Sequence, residues 1–309
     1  MEIWYFETSA VNEFMKRFSL ETAMATKQLQ LNKGREWRLS PVALWEILMT
    51  SDENRRDKIV YFCQHLFNRE LLPSPAELII AFIEQGMPEV EKYRKLLSKT
   101  AIANIWRDLV DDKNKCFIID YNELRSRVKL VQDHTKDIHQ IVKNGDLIIS
   151  SEKSFLGLDL SLSSLIEELP FIKTRQFVVQ EERLAYKVSL YYITLILCAE
   201  GELENEIIQK FWQKVGLNST LDRILYVLQE LPALVYRGPF YMMSCMTIAQ
   251  TKGKYARGVW FDSLHSIYIT YADQIFTSDR HFLKLRESID EPMLWMKIHH
   301  VDELEITYH

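Results

Sequence analysis

Both ends of the chain alternate short apolar runs with helix-start signals. Glu2–Phe6 is rich in β-branched and aromatic residues and predicts a buried strand, which is followed by a helix over residues 10–29 that Ser9 can cap. Near the other end, Gln274–Thr277 predicts a second strand, and a helix and a last strand at residues 293–299 follow it. A helix that joins two such strands is the crossover unit of a parallel sheet. The pattern therefore predicts an α/β domain built from both ends of the chain.

The middle of the chain, residues 61–252, has a different pattern. Apolar residues recur there at helical spacing, in segments mostly bounded by Pro, Gly or Asn-Gly. The 309 residues include only 9 Gly and 8 Pro, which argues against a turn-dense all-β fold. We therefore predict an α/β domain with a parallel sheet flanked by helices, formed by residues 1–60 and 253–309, and a mostly α-helical insertion at residues 61–252.

Four acidic residues lie on the predicted α/β elements. Glu7 ends the first strand and Asp279 follows the strand Gln274–Thr277, so both emerge at the carboxyl edge of the sheet, where open parallel sheets have their functional crevice. Glu46 lies among apolar residues in a helix that begins with a Ser-Pro pair, and Asp262 opens a late helix. Carboxylates grouped in this way predict a hard-oxygen site for Mg²⁺ or Mn²⁺.

These acids lie in segments that resemble the motifs of PIN-domain nucleases. Residues 5–10, YFETSA, resemble the opening motif, in which a strand ends in an acid followed by Thr or Ser and a small residue. Residues 40–47, SPVALWEI, resemble the second motif, a helix with one inward Glu. Residues 262–282 are similar to the third and fourth motifs, in which an acid opens a helix and Thr-x-Asp follows the next strand; here Asp279 comes seventeen residues after Asp262.

The resemblance implies a fold, an activity and partners. PIN domains are compact α/β folds with a parallel sheet, and active members cleave RNA with one or two divalent cations held by clustered acids. It implies a PIN-like endoribonuclease dependent on Mg²⁺ or Mn²⁺, acting as a toxin or a phage-defence effector. The implied substrate is single-stranded or structured RNA such as tRNA, and the implied partners are an inhibitor (antitoxin) protein, an effector-complex protein or a second copy of the chain. The residues assigned to catalysis and metal binding are Glu7, Glu46, Asp262 and Asp279.

Neighbouring polar residues are expected to support these acids. The hydroxyls of Thr8, Ser9 and Thr277 are placed to orient a carboxylate or a metal-bound water. Asp273 is interpreted as a turn acid near the site. His265, on the late helix, is expected to be packed or hydrogen-bonded beneath the site rather than to ligate the metal.

Each acid taken alone also has an ordinary structural explanation. Glu7 precedes a helix amino terminus, where negative charge is stabilised, and Glu46 suits a salt bridge within a core helix. Asp262 and Asp279 are both candidate helix N-caps. The order and spacing of all four together favour the metal site.

A short basic segment precedes Asp262. Lys252, Lys254 and Arg257 suit contacts to RNA phosphates, and nearby aromatic side chains suit stacking on unpaired bases. The alternative is an ordinary solvated loop. A net charge of −5, from 38 Lys plus Arg and 43 Asp plus Glu, argues against broad coating of nucleic acid but not against a local track.

The cysteines and apolar runs indicate the compartment. The cysteines form no CxxC pair and have no zinc-like spacing, so we interpret them as buried apolar residues in a reducing environment. They are Cys63, Cys116, Cys198 and Cys245. No apolar run reaches the ~20 residues that span a bilayer, and the first residues do not form a leader. We therefore expect a cytoplasmic protein that is not bound to membranes.

Two other functions stay open from the sequence. The first acid of PIN domains is usually Asp, and Glu7 is one methylene longer. This departure fits a catalytically inactive PIN-like interaction or regulatory module that acts through its helical insertion. The other alternative is an all-helical scaffold in which the acids are accidental.

Overall fold

A computed structural model describes most of the chain and divides it into two compact units. The described residues are 1–85, 97–112, 126, 136, 162–174, 180–198, 206–234, 239–251, 259–288 and 296–305. The first unit comprises Met1–Ser74, Val90–Lys129 and Leu264–His309, and the second comprises Pro75–Glu89 and Leu130–Ser263. Both ends of the chain thus belong to the first unit.

The first unit contains a sheet whose described strands all run parallel. The strands are β1 (Glu2–Phe6), β2 (Arg35–Arg38), β3 (Gln274–Thr277) and β4 (Ile298–His300). Their order is β2-β1-β3-β4, so β1 is a central strand that pairs Tyr5 with Arg38 on one side and with Ile275 on the other. The α/β class and the parallel sheet predicted from the sequence are confirmed.

Helices surround this sheet and make up the described part of the second unit. Along the chain they are α1 (Thr8–Arg17), α2 (Leu20–Asn32), α3 (Pro41–Leu48), α4 (Glu53–Leu66), α5 (Pro75–Gln85), α6 (Ala101–Asp111), α7 (Leu162–Glu168), α8 (Pro170–Thr174), α9 (Gln180–Cys198), α10 (Glu206–Val215), α11 (Thr220–Leu234), α12 (Pro239–Thr251), α13 (Val259–Ser266) and α14 (Arg280–Ser288). Short 3₁₀ turns lie at Ile267–Ile269 and Val301–Glu303. The described residues of the second unit contain helices and no strand.

Aromatic side chains form the core beside the central strand. The Phe6 ring lies 4.6 Å from that of Trp37 and 4.9 Å from that of Phe276, centroid to centroid. On the other face of β1, the Tyr5 ring lies 4.9 Å from that of Tyr268. Parallel sheets are usually covered on both faces, which explains why β1 reads as an apolar run without alternation.

The start of the first helical region differs from the prediction in two places. The single helix expected over residues 10–29 is wrong, because Phe18 is extended and Ser19 caps α2 by accepting a hydrogen bond from the Thr22 amide (Oγ to N, 3.2 Å). Ser9 does not cap α1 either. The Glu7 side chain takes that place and accepts from the Ser9 amide, which leaves the Ser9 hydroxyl for another contact.

The described cysteines agree with their interpretation as buried apolar residues. Cys63, Cys198 and Cys245 are buried, whereas Cys116 lies outside the described residues. Within the described ranges, no helix has the length and apolar content needed to cross a bilayer.

Candidate metal centre

Glu7 lies where the central strand becomes a helix. Its amide donates to the carbonyl of Phe276 (N to O, 3.0 Å), which extends the β1–β3 pairing by one residue. Its side chain then turns back as the N-cap of α1, with Oε1 accepting from the Ser9 amide at 3.0 Å. Only 3% of Glu7 is exposed, so a carboxylate is buried at the carboxyl edge of the sheet.

Two hydroxyl groups hold the other oxygen of Glu7. Oε2 accepts from the Thr277 hydroxyl at 3.0 Å and from the Ser9 hydroxyl. The Ser9 hydroxyl oxygen accepts from the Ser278 amide at 2.8 Å, and that of Thr277 accepts from the Asp279 amide at 2.9 Å. Because these amides donate to the hydroxyl oxygens, each hydroxyl hydrogen is left to point at Glu7. The loop after β3 thereby fixes the Glu7 carboxylate, as expected for Ser9 and Thr277.

The second carboxylate, Glu46, is carried by α3. The Ser40 hydroxyl caps this helix by accepting from the Ala43 amide (Oγ to N, 3.1 Å). Leu44 and Ile47 are fully buried and fix the rotation of the helix about its axis. The Glu46 side chain is 28% exposed, so one end of the site is open to solvent.

His265 joins Glu46 to the central strand. Its ring is fully buried, with Nε2 3.1 Å from Glu46 Oε2 and Nδ1 in hydrogen-bond contact with the Tyr5 hydroxyl. The Tyr5 hydroxyl also lies 2.9 Å from Ser40 Oγ. A hydrogen-bonded chain therefore runs from the cap of α3 through Tyr5 and His265 to Glu46.

Three of these residues form a donor set for a metal ion. Glu7, Glu46 and His265 each offer one ligand atom, and these atoms lie within 4.8 Å of one another. Among the described residues, no Lys or Arg forms an ion pair with Glu7 or Glu46. Two carboxylates and an imidazole, with no described Lys or Arg paired to either carboxylate, could hold a divalent cation.

The environment moves the pKa values of the two carboxyls in opposite directions. Burial raises the pKa of Glu7 to about 7; the electrostatic interaction with His265 and the bonds from Ser9 oppose this rise, and the nearby Glu46 adds to it. Burial also opposes charge on Glu46, but the hydrogen bond and the electrostatic interaction with His265 outweigh burial and lower the pKa of Glu46. Near neutral pH, Glu46 is therefore ionised, whereas Glu7 is easily protonated.

Thr8 differs from the other two hydroxyl residues. Its side chain is buried beside Glu46, whose pKa it lowers, yet its hydroxyl makes no hydrogen bond of normal geometry within the described part of the chain. Thr8 thus acts on Glu46, whereas Ser9 and Thr277 hold Glu7.

The remaining predicted acids are not part of the group formed by Glu7, Glu46 and His265. Asp279 caps α14, with Oδ1 accepting from the His281 amide at 2.5 Å, and it is not part of the Glu7–Glu46–His265 group. Asp273 lies at the amino ends of the strands rather than beside Glu7, because its Oδ2 accepts from the Ile3 amide at 2.8 Å.

Asp262 belongs to the second unit, in the first turn of α13. It is buried there, and its Oδ2 accepts from the side-chain amide of Gln250 (Nε2, 3.2 Å). The basic residues Lys252, Lys254 and Arg257 lie outside the described residues.

Sequence reasoning missed Tyr5 and Ser40 as parts of the site. The sequence alone indicates a helix cap at Ser40 and a strand residue at Tyr5. Tyr5 contacts His265 across 260 residues of sequence, and Ser40 reaches His265 only through Tyr5. The polar hydroxyl of Tyr5 near the end of an otherwise apolar strand is the one local signal for this role.

Comparison with protein-family models, curated proteins and solved structures gives no match for this chain. Its function is therefore inferred from the residues and geometry of the site.

Proposed function

We propose that this protein is a PIN-like, divalent-metal-dependent endoribonuclease that hydrolyses RNA phosphodiester bonds as a toxin or phage-defence effector. One observation carries the proposal. The carboxylates of Glu7 and Glu46 converge with His265 within 4.8 Å at the carboxyl edge of a parallel sheet. Ligands and reaction centres of open α/β sheets are found at this edge.

The donor set fits Mg²⁺ or Mn²⁺. Both prefer carboxylate oxygens, and Glu7 and Glu46 supply these with no described basic residue paired to either. The raised pKa of Glu7 shows that its charged form is costly in the metal-free fold, as at many functional sites. A divalent cation held by these carboxylates would supply Lewis-acid chemistry, activating water and neutralising charge on a phosphate.

The protein residues hold the carboxylates and leave one side accessible. Ser9 and Thr277 fix Glu7, and His265 fixes Glu46. The partial exposure of Glu46 gives a phosphate access from solvent, whereas Glu7 lies deeper. Fixed charges in a largely buried site act more strongly than the same charges in water.

The resemblance adds further residues and partners to the proposal. It assigns Asp262 and Asp279 to the acidic site and leaves Lys252, Lys254 and Arg257 to contact phosphates of single-stranded or structured RNA such as tRNA. The proposed protein partners are an inhibitor (antitoxin) protein, an effector-complex protein or a second copy of the chain, with the helical second unit available for that contact.

The direct test is RNA cleavage with and without Mn²⁺. Purified protein is incubated with a mixture of structured and single-stranded RNAs, comparing wild type with Glu46→Gln, Asp262→Asn and Asp279→Asn. We expect Mn²⁺-dependent cleavage that each substitution reduces, and thermal stabilisation by Mn²⁺ that Glu46→Gln abolishes. Glu13→Gln, whose carboxylate on α1 pairs with Lys16 and Arg17, is the matched control and should cleave as wild type does. Cleavage that survives all three site variants, or wild type that neither cleaves nor binds metal, would contradict the proposal.

One observation favours a second candidate, an inactive PIN-like interaction or regulatory module. Asp279 uses one carboxylate oxygen to cap α14, and it is not part of the donor group that contains Glu7 and Glu46. The same experiment separates the two functions, because this module would bind no Mn²⁺ and leave RNA intact.

A further inference from the structure

We infer that His265 is a positioning residue for Glu46: Tyr5 and Ser40 fix it as the neutral tautomer that carries its hydrogen on Nε2, and this hydrogen holds the Glu46 carboxylate in place for the cation. The inference rests on the proposed metal site and names how that site is pre-organised. It also removes His265 from the set of metal ligands, because a protonated nitrogen has no lone pair to donate.

The hydrogen count along the chain of contacts gives the direction of each bond. The Ser40 oxygen already accepts from the Ala43 amide, and its own hydrogen faces the Tyr5 oxygen. Tyr5 then has one hydrogen left, and His265 Nδ1 is the acceptor it contacts. With Nδ1 accepting, the hydrogen of a neutral imidazole lies on Nε2 and points at Glu46 Oε2.

A hydrogen on Nδ1, in the other neutral tautomer or in the imidazolium, leaves a group unsatisfied. If Nδ1 carried the hydrogen, the lone pair of Nε2 would face the carboxylate of Glu46 at 3.1 Å. Tyr5 would also have to donate to Ser40, whose buried hydrogen would then have no acceptor among the described residues. Buried polar groups without partners cost about 1–3 kcal/mol each, so the Nε2–H tautomer is favoured.

This bond determines which oxygen of Glu46 is offered to a cation. Oε2 is engaged by His265, which leaves Oε1 and sets the plane of the carboxylate. Glu7 has no equivalent choice, because both of its oxygens accept bonds from Ser9. Outer groups that orient a ligand in this way typically change metal affinity by about 10- to 100-fold when they are lost.

Two pairs of matched variants test the positioning role through Mn²⁺ affinity. The amide of His265→Gln reaches about as far as Nε2 and can still donate to Glu46, whereas that of His265→Asn reaches only about as far as Nδ1. We expect Gln to stay within about threefold of wild type and Asn to lose about tenfold or more. Tyr5→Phe should also lose affinity, whereas Tyr268→Phe, whose hydroxyl donates to the Pro73 carbonyl at 2.8 Å, should not. Equal losses in both members of each pair would overturn the inference, since they indicate a merely structural role.

The tautomer is read directly from the imidazole ¹⁵N resonances of wild type, without and with Mg²⁺, and this needs no variant to fold. We expect protonated Nε2 and bare Nδ1 in both states. An Nδ1–H tautomer, or loss of the Nε2 hydrogen when Mg²⁺ binds, would overturn the inference while leaving the metal site intact. Wild type that binds neither Mg²⁺ nor Mn²⁺ would instead overturn the proposed function, and the metal role of His265 with it.

Discussion

The energetics of Glu7 connect the stability of the protein to its proposed chemistry. Its carboxylate is buried and close to Glu46, and its pKa is raised to about 7. An ionised Glu7 therefore destabilises the metal-free fold. Active-site acids are often destabilising in this way, because the function requires a charge that lowers the stability of the fold.

Replacing Glu7 with Gln removes this charge while keeping the shape of the side chain. The amide oxygen can still accept from the Ser9 amide, and its NH₂ can donate to the Thr277 hydroxyl. At pH 8 without metal, we expect the free energy of unfolding in urea to rise by about 1–3 kcal/mol. Glu13→Gln, which loses an exposed pair with Arg17, should lower it slightly. If Glu7→Gln is instead less stable than wild type at pH 8, other interactions in the fold compensate the cost of burying the Glu7 charge.

The same pKa shift predicts how stability depends on pH. The folded pKa of Glu7 is about 7 and its ordinary value is 4.5, so between these values the folded state binds more protons than the unfolded state. The stabilisation is full below about pH 4.5 and is lost as the pH rises to about 7. The pKa of Glu46 is lowered instead, so its contribution to stability has the opposite pH dependence and is lost in acid.

Comparison of wild type with Glu7→Gln isolates the contribution of Glu7 to the pH dependence of stability. The free energy of unfolding of wild type minus that of Glu7→Gln should fall across pH 4.5 to 7 and then level, because the Glu46 term is common to both. Mn²⁺ affinity should rise over the same interval, since the cation must displace the Glu7 proton. A difference that is flat with pH would contradict the raised pKa.

At the scale of elements, two serine caps separate structural and functional effects. Ser40 caps α3 and also contacts Tyr5, whereas Ser19 caps α2 at the surface. Loss of a cap costs about 1 kcal/mol. We expect Ser19→Ala to cost about that much, and Ser40→Ala about 2 kcal/mol because a buried contact is lost too. Only Ser40→Ala should also weaken Mn²⁺ binding; equal metal affinity in both variants would show that α3 holds Glu46 without the cap contact.

Local signals account for the elements that were predicted correctly. Glu2–Phe6 and Gln274–Thr277 are compact apolar runs, and the Ser-Pro pair before α3 is a strong helix start, so each was found from neighbouring residues alone. The break between α1 and α2 was missed because Phe18 continues the apolar spacing while Ser19 starts a new cap. The regular spacing of apolar residues thus favours one continuous helix, although Ser19 is a helix N-cap signal.

Long-range contacts explain what the sequence analysis missed in the site. The sequence indicates Glu7 and Glu46 as candidates because Glu7 ends a strand, Glu46 lies among apolar residues in a helix, and each is within a family-like motif. The roles of Tyr5 and His265 depend on a contact between β1 and α13, which no local pattern encodes. Asp279 shows the converse, since the sequence makes it a candidate helix N-cap, and the structure contains that cap contact.

For the whole molecule, the net charge of −5 limits how RNA can bind. An acidic chain cannot neutralise many phosphates, so the proposed contact is a short track made by Lys252, Lys254 and Arg257. Each phosphate neutralised on a single strand contributes about −0.7 to the slope of log affinity against log salt, so three contacts predict a slope of about −2.

This slope is measured with Glu7→Gln, which should bind RNA without cutting it, in monovalent salt and without divalent cations. Replacing the three basic residues with Ala should bring the slope close to zero and weaken binding similarly for all sequences, because phosphate contacts carry no base information. Exchanging Lys16, Arg17 and Lys33 instead, which form exposed ion pairs in the first unit, provides a control of equal charge change. A slope much steeper than about −2 for Glu7→Gln with its basic residues intact, or equal effects of the two triple replacements, would indicate a diffuse binding surface instead of the local track.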